Sequence, residues 1–161
     1  MEKIALGLGT NHGDRCGALR AAVEALTTYM SVSAVSPVYE TAALYVADQP
    51  PFLNAALVGE TKLTALALLW NLKRLETELG RVPTFRYGPR AIDLDLLFYG
   101  GQSMSSHELT VPHAHMAERE FVLRPLADIA PDWCHPRTGL TVAEMLGRIR
   151  TDNPRCLGPL L

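Results

Sequence analysis

Arg86-Tyr87-Gly88-Pro89-Arg90-Ala91-Ile92-Asp93-Leu94-Asp95-Leu96-Leu97 runs from a break in regular structure into an alternating strand, and the rest of the chain can be read outward from that transition. Side chains of an extended strand point alternately to opposite faces, so Asp93 and Asp95 share one face while Ile92, Leu94 and Leu96 bury the other. Neighbouring carboxylates repel unless a cation lies between them, and hard oxygen ligands shared with phosphates suit Mg2+. Taken alone, Asp-x-Asp is more often the solvated face of an edge strand. Flanking arginines change the reading, because Gly88-Pro89 leaves Arg90 at a loop-to-strand junction within reach of a phosphate.

Upstream, Ile4 to Gly9 reads as a buried strand, and Asp14 is placed to cap a helix running to about Met30 with Leu19, Val23, Leu26 and Met30 inward. Ser31 to Thr41 and Phe52 to Thr61 read as strands. The connection Ala42 to Pro51 is longer than usual and carries Asp48, Gln49 and Pro50-Pro51, the kind of loop that often binds. Leu66, Leu69, Leu72, Leu75 and Leu79 define a helix from about Thr64, stopped by Gly80. Downstream of the strand at Asp93 to Tyr99, a helix is expected from Met116 or Ala117, with Phe121, Val122 and Leu126 on its core side. A last helix capped by Thr141 runs to about Ile149, followed by an irregular tail from about Thr151. Strand, helix, two strands, helix, strand is the order of an α+β, ferredoxin-like mixed sheet with packed helices.

The 161 residues, 48% of them apolar, fit one domain spanning 1–161. A net charge of -2 disfavours a general nucleic-acid binder, although the arginines from Arg81 to Arg90 make a local anion site. Cys16, Cys134 and Cys156 form neither a disulfide framework nor a zinc set. With no secretory leader in Met1 to Met30 and no run of about 20 apolar residues, a soluble cytoplasmic protein is expected, acting without a membrane.

The chemistry narrows by elimination. Gly7-Leu8-Gly9 ends a strand before a helix, but no third glycine of a dinucleotide fingerprint follows, nor any Gly-Lys-Ser/Thr; the pair reads as close packing or a tight turn. His113 and His115 lack partners for zinc, and His113 is either a phosphate donor or an ordinary loop histidine. Glu76 reads as a solvated or ion-paired helix carboxylate beside Lys73 and Arg74. Arg81 and Arg90 can stabilise phosphoryl charge, or simply pair with nearby acids.

The run Arg86 to Leu97 resembles the signature of the 6-hydroxymethyl-7,8-dihydropterin pyrophosphokinases. Gly9-Thr10-Asn11, Tyr39-Glu40-Thr41, Asp48-Gln49-Pro50, Asn54-Ala55-Ala56, Leu109 to His113, Phe121 and Pro125-Leu126 extend the likeness over about residues 3 to 150. The resemblance implies a ferredoxin-like fold and transfer of pyrophosphate from ATP, as co-substrate, to a dihydropterin alcohol in folate biosynthesis. It further implies two Mg2+ ions held by Asp93 and Asp95, with Arg81 and Arg90 on the ATP phosphates. Glu76, Thr110, His113 and Arg119 fall at nucleotide-side positions. Phe52 and Phe121 fall where the family sandwiches the pterin, with Thr41, Ala42, Leu44 and Asn54 lining the pocket. Small molecules are then its partners, with no nucleic acid and no obligate protein.

The chain departs from the family pattern at Tyr87, where tryptophan is usual, at Pro83 and Thr84, where basic residues are usual, and at Ala114, where an aromatic is common. Weaker ATP binding follows from the lost charge-assisted contacts. A nucleotide-sensing module without turnover and an RNA-binding ferredoxin-like domain are the alternatives from other classes. The acidic balance and the aspartate pair oppose the second.

Overall fold

Asp93 to Tyr99 does form a strand, and its place at the edge of a sheet fixes where its acids project. A computed structural model of the chain describes residues 1–41, 50–80, 91–151 and 153–161. The elements are β1 (Glu2–Thr10), α1 (Arg15–Leu26), β2 (Ser31–Val35), β3 (Pro37–Thr41), β4 (Phe52–Thr61), α2 (Ala65–Glu78), β5 (Asp93–Tyr99), β6 (Met104–Ser105), β7 (Thr110–Val111), a 3-10 turn (Met116–Glu118), α3 (Glu120–Ile129), α4 (Val142–Gly147) and β8 (Arg155–Pro159). The main sheet runs β5-β1-β4-β3-β8, with β2 also on β4. The expected ferredoxin-like order is present. The sheet is not mixed, however: every strand pair among the described residues is antiparallel. β4 lies between β1 and β3, and β1 between β4 and β5, so the strands joined by α1 and α2 never pair with each other.

Local chemistry explains the element ends. Asp14 Oδ1 accepts from Gly17 N at 3.1 Å and Thr64 Oγ1 from Ala67 N at 3.2 Å, capping α1 and α2. Gly80, at φ +99, ends the α2 turn in a left-handed conformation. α1 stops at Leu26 and not Met30, where Thr27 turns its hydroxyl back onto Glu24 O at 2.6 Å. The single strand expected over Ser31 to Thr41 is two. Pro37 lacks an N–H, and the buried Ser36 fills the gap, its backbone donating to Ala56 O and its hydroxyl accepting from Ala56 N, both at 2.8 Å.

The tail also departs from expectation, because Arg155–Pro159 pairs with β3. Its residues are mostly exposed, so pairing and not an apolar face makes it a strand.

Each face of the sheet has its own core. Ile4, Leu6, Leu8, Leu53, Leu57, Leu94 and Leu96 pack with α1 and α2, while Ala5, Ala56, Leu97 and Phe98 pack with α3 and α4. Between Leu6↔Leu96 and Ala5↔Phe98 the register takes one extra residue, a bulge that sends both Leu97 and Phe98 to the α3 side.

Candidate active site

Cross-strand register places the expected site residues on the α3 face of the sheet. Asp93 pairs with Gly9, which pairs with Asn54, which pairs with Tyr39; Asp95 pairs with Gly7, which pairs with Ala56. Paired residues project to the same side, so the carboxylates stand two strands, roughly 10 Å, from the Asn54 amide. Only glycine lies between them in β1. A Cβ on Gly9 would sit 3.1 Å from Asn54 Oδ1, whereas one on Gly7 would meet Leu97 at an ordinary 3.6 Å. The buried Asn54 donates through Nδ2 to Thr41 Oγ1 at 3.1 Å, and Thr41 lies opposite Phe52. Thr41, Phe52 and Asn54 are thus brought together. Below them the Tyr39 hydroxyl donates to Asp128 Oδ2 on α3 at 2.6 Å, and burial together with that carboxylate pushes the phenol well above its ordinary range.

The other side of the face is built by the chain around β7. His113 N donates to Leu97 O at 3.1 Å, fastening this segment to β5. Burial pushes the His113 imidazole below its ordinary range; Asp95 opposes this, and Arg119, His115 and Lys73 add to it. Asp95, His113, Arg119 and Lys73 therefore share one electrostatic neighbourhood. His113 Nδ1 accepts from His115 N at 3.3 Å, consistent with a neutral ring. The Arg119 guanidinium lies 5.6 Å from the Phe121 ring centroid, joining an expected nucleotide-side residue to an expected stacking ring. Thr110 is half-buried in β7, opposite Ser105.

Glu76 is not solvated. Its side chain is 2% exposed, Oε2 accepts from Leu94 N at 3.1 Å, and Oε1 lies 3.3 Å from Lys73 Nζ. The ion pair expected from sequence is present, but one oxygen is committed to the backbone amide between Asp93 and Asp95. The sequence signal was the position of Glu76 beside Leu72, Leu75 and Leu79, on the apolar stripe of α2. Arg81, Arg90, Ala42 and Leu44 lie outside the described residues, as do Asp48, Gln49, Pro83, Thr84 and Tyr87.

Among the described residues no group of three His, Cys, Asp or Glu side chains is arranged to hold a metal ion. The two half-buried aspartates on one rigid strand are nonetheless a hard-oxygen donor pair of the kind that holds Mg2+ jointly with phosphates. No helix among the described residues is long and apolar enough to cross a membrane.

An antiparallel ferredoxin-like sheet with a carboxylate pair, a bare glycine strip and a buried amide on one face defines an α+β protein with a candidate site beside α3. Residues 5–131 match the family described as 7,8-dihydro-6-hydroxymethylpterin-pyrophosphokinase, and the chain belongs to that family. It is 44% identical over 151 residues to the 2-amino-4-hydroxy-6-hydroxymethyldihydropteridine pyrophosphokinase of Methylorubrum extorquens, covering 92% of this chain and 94% of the relative. The folic acid synthesis protein fol1 of Pneumocystis carinii is 41% identical over 149 residues, which cover 92% of this chain but 20% of that protein. The chain likewise spans 25% of the bifunctional folate synthesis protein of Pisum sativum. A crystal structure of wild-type Plasmodium falciparum HPPK-DHPS shares the fold, with TM-score 0.73 at 16% identity over 91% of this chain and 42% of that one.

Proposed function

We propose that this chain transfers the pyrophosphoryl group of Mg-ATP to the hydroxymethyl group of 6-hydroxymethyl-7,8-dihydropterin, releasing AMP, as a step in folate biosynthesis. The observation that carries the reading is the placement of Asp93 and Asp95 on the same sheet face, and in the same rows, as Gly9, Gly7 and Asn54. One end of that face is built for phosphate and cation, the other for a flat polar heterocycle.

In this reading Phe52 and Phe121 stack on the pterin, and Asn54 offers its edge both a donor and an acceptor, helped by Thr41, Ala42 and Leu44. Arg81 and Arg90, with Glu76, Thr110, His113 and Arg119, hold the nucleotide. The hydroxymethyl oxygen attacks the β-phosphorus of ATP, the bond from that phosphorus to the α–β bridging oxygen breaks, and AMP departs with the oxygen. The hydroxyl proton leaves to solvent, since no side chain among the described residues of this face is an evident base. Asp93 and Asp95 would hold two Mg2+ ions, which when bound neutralise phosphate charge. Positioning and charge stabilisation then carry the acceleration, with Arg81 and Arg90 facing the charge that spreads in the transition state. Residues 1–161 act as a single pyrophosphokinase unit on small molecules, in the cytoplasm.

The test is incubation with Mg-ATP and 6-hydroxymethyl-7,8-dihydropterin, with adenine nucleotides separated by chromatography against controls lacking pterin. Pterin-dependent AMP without ADP is the expected result. ATP retained by the protein with no pterin-dependent AMP would overturn the assignment in favour of nucleotide sensing.

A further inference from the structure

Arg15 opens α1 on the opposite side of the sheet from Asp93 and Asn54, and nothing in the proposed reaction uses it. Its Nη1 lies 3.1 Å from Glu40 Oε2 and donates to Pro51 O at 2.8 Å. Glu40 sits in β3 between Tyr39 and Thr41, so by strand alternation its side chain points away from the face that carries those two. Its partner in register is Leu53, which belongs to the α1 and α2 core. One guanidinium nitrogen therefore ties the end of β3 to the start of β4 from behind. Asn11, fully buried, adds a second tie to the same stretch, donating to Pro50 O at 3.2 Å.

The residues adjoining these ties are those expected to line the pterin pocket: Thr41 follows Glu40, and Phe52 follows Pro51. Thr41 and Phe52 form the outermost pair of the β3–β4 ladder among the described residues, and Thr41 also takes the hydrogen bond of Asn54. The Arg15 and Asn11 bonds lie directly behind that pair. The Arg15 and Glu40 side chains are 29% and 23% exposed, sheltered enough for the contact to hold a defined geometry, and neither belongs to a core cluster.

We infer that Arg15 is a positioning residue for the heterocycle pocket: with Glu40 and the Pro51 carbonyl it braces the strand ends that present Thr41, Phe52 and Asn54. This rests on the pyrophosphokinase reading. The brace acts on the pterin side alone, since Asp93, Asp95, His113 and Arg119 are carried by β5 and the segment after β7.

Steady-state kinetics with both substrates varied, alongside thermal unfolding, test this. Arg15→Ala is expected to raise KM for the dihydropterin by about tenfold, the scale of one charge-assisted hydrogen bond, with KM for ATP within about twofold. Arg15→Lys restores part of the loss. Glu40→Gln, which leaves the Pro51 bond in place, has a smaller effect, and combining it with Arg15→Ala adds nothing further. Thr141→Ala, which removes the α4 cap, supplies a destabilised control and leaves both KM values unchanged. Calorimetry of 6-hydroxymethylpterin with α,β-methylene-ATP present should show the same loss in Arg15→Ala. An active wild type with pterin KM unmoved by Arg15→Ala would overturn the inference, as would an equal rise in both KM values. A wild type making no pterin-dependent AMP would instead overturn the reading on which it rests.

Discussion

The Glu76 carboxylate on α2 accepts a hydrogen bond from the backbone N–H of Leu94 at 3.1 Å, joining a helix to the outer edge of β5. Among the described residues β5 ends the sheet, and no described strand is there to receive an outward N–H. That amide lies between Asp93 and Asp95, so the bond sets the line along which both carboxylates project. Glu76→Ala is expected to cost about 2 kcal/mol, the penalty of stranding a buried donor. For a chain of this size that is a fall in Tm of about 4–8 °C. Glu76→Gln, which keeps an acceptor, should lose less; thermal unfolding of the two variants checks the order.

Asp95→Asn should leave the fold within about 1 kcal/mol of wild type, since the side chain is only half-buried. Turnover should fall by at least about 100-fold, the scale of removing one group that stabilises developing charge. A second signature accompanies it. The Asp95 charge opposes the downward shift of His113, so its removal should lower that imidazole's pKa further, which an NMR titration of His113 would detect.

The two glycines of β1 should differ in tolerance. Gly7→Ala places its methyl at ordinary distance from Leu97 and should change stability by less than about 0.5 kcal/mol. Gly9→Ala crowds Asn54 Oδ1, must move the amide off Thr41, and should cost about 1 kcal/mol or more. Urea unfolding measures both, and pterin binding should weaken in Gly9→Ala.

His135 gives the fold a pH dependence. Burial, helped by the Arg137 charge, pushes its imidazole below the ordinary range, and Nδ1 accepts from Arg137 N at 3.2 Å. A ring that binds protons more readily unfolded than folded contributes stability that is complete above its unfolded pKa, about 6.5, and is lost as pH falls toward the folded value. His113 is shifted in the same direction and adds the same sign. Stability should therefore decline below about pH 6.5. His135→Gln should flatten part of that slope in unfolding curves taken between mildly acidic and neutral pH.

What could be read from the residues was local. Alternation along Asp93 to Leu96, the Asp14 and Thr141 caps and the start of α2 near Thr64 each concern neighbours in sequence, and each stands in the structure. The leucine stripe of α2 holds at Leu72 and Leu75 but not at Leu66, which is exposed while Leu68 is buried. What escaped depends on partners far along the chain. Arg155–Pro159 carries no apolar alternation because its order comes from β3, and Ser36 acts as a splice only because Ala56 lies beside it. Glu76 looked solvated because a helix carboxylate ordinarily is; its burial follows from the docking of α2 against an edge strand. The glycine strip, read as close packing or a tight turn, gains its sense from having Asp93 on one side and Asn54 on the other.

The bulge at Leu97 makes the location of the acid pair a matter of counting. Upstream of it the odd-numbered residues of β5 face α3; beyond it Phe98 faces α3 and Tyr99 faces away. With Phe98 anchored in the α3 core, a regular ladder that kept Leu97 but lost the bulge would send Leu97 to the other face and rotate everything before it by half a turn. Asp93 and Asp95 would then be driven into the leucine layer beneath α1 and α2, and Leu94 and Leu96 would emerge where the acids had been. A slip of one residue in register, with every side chain retained, would turn this face inside out.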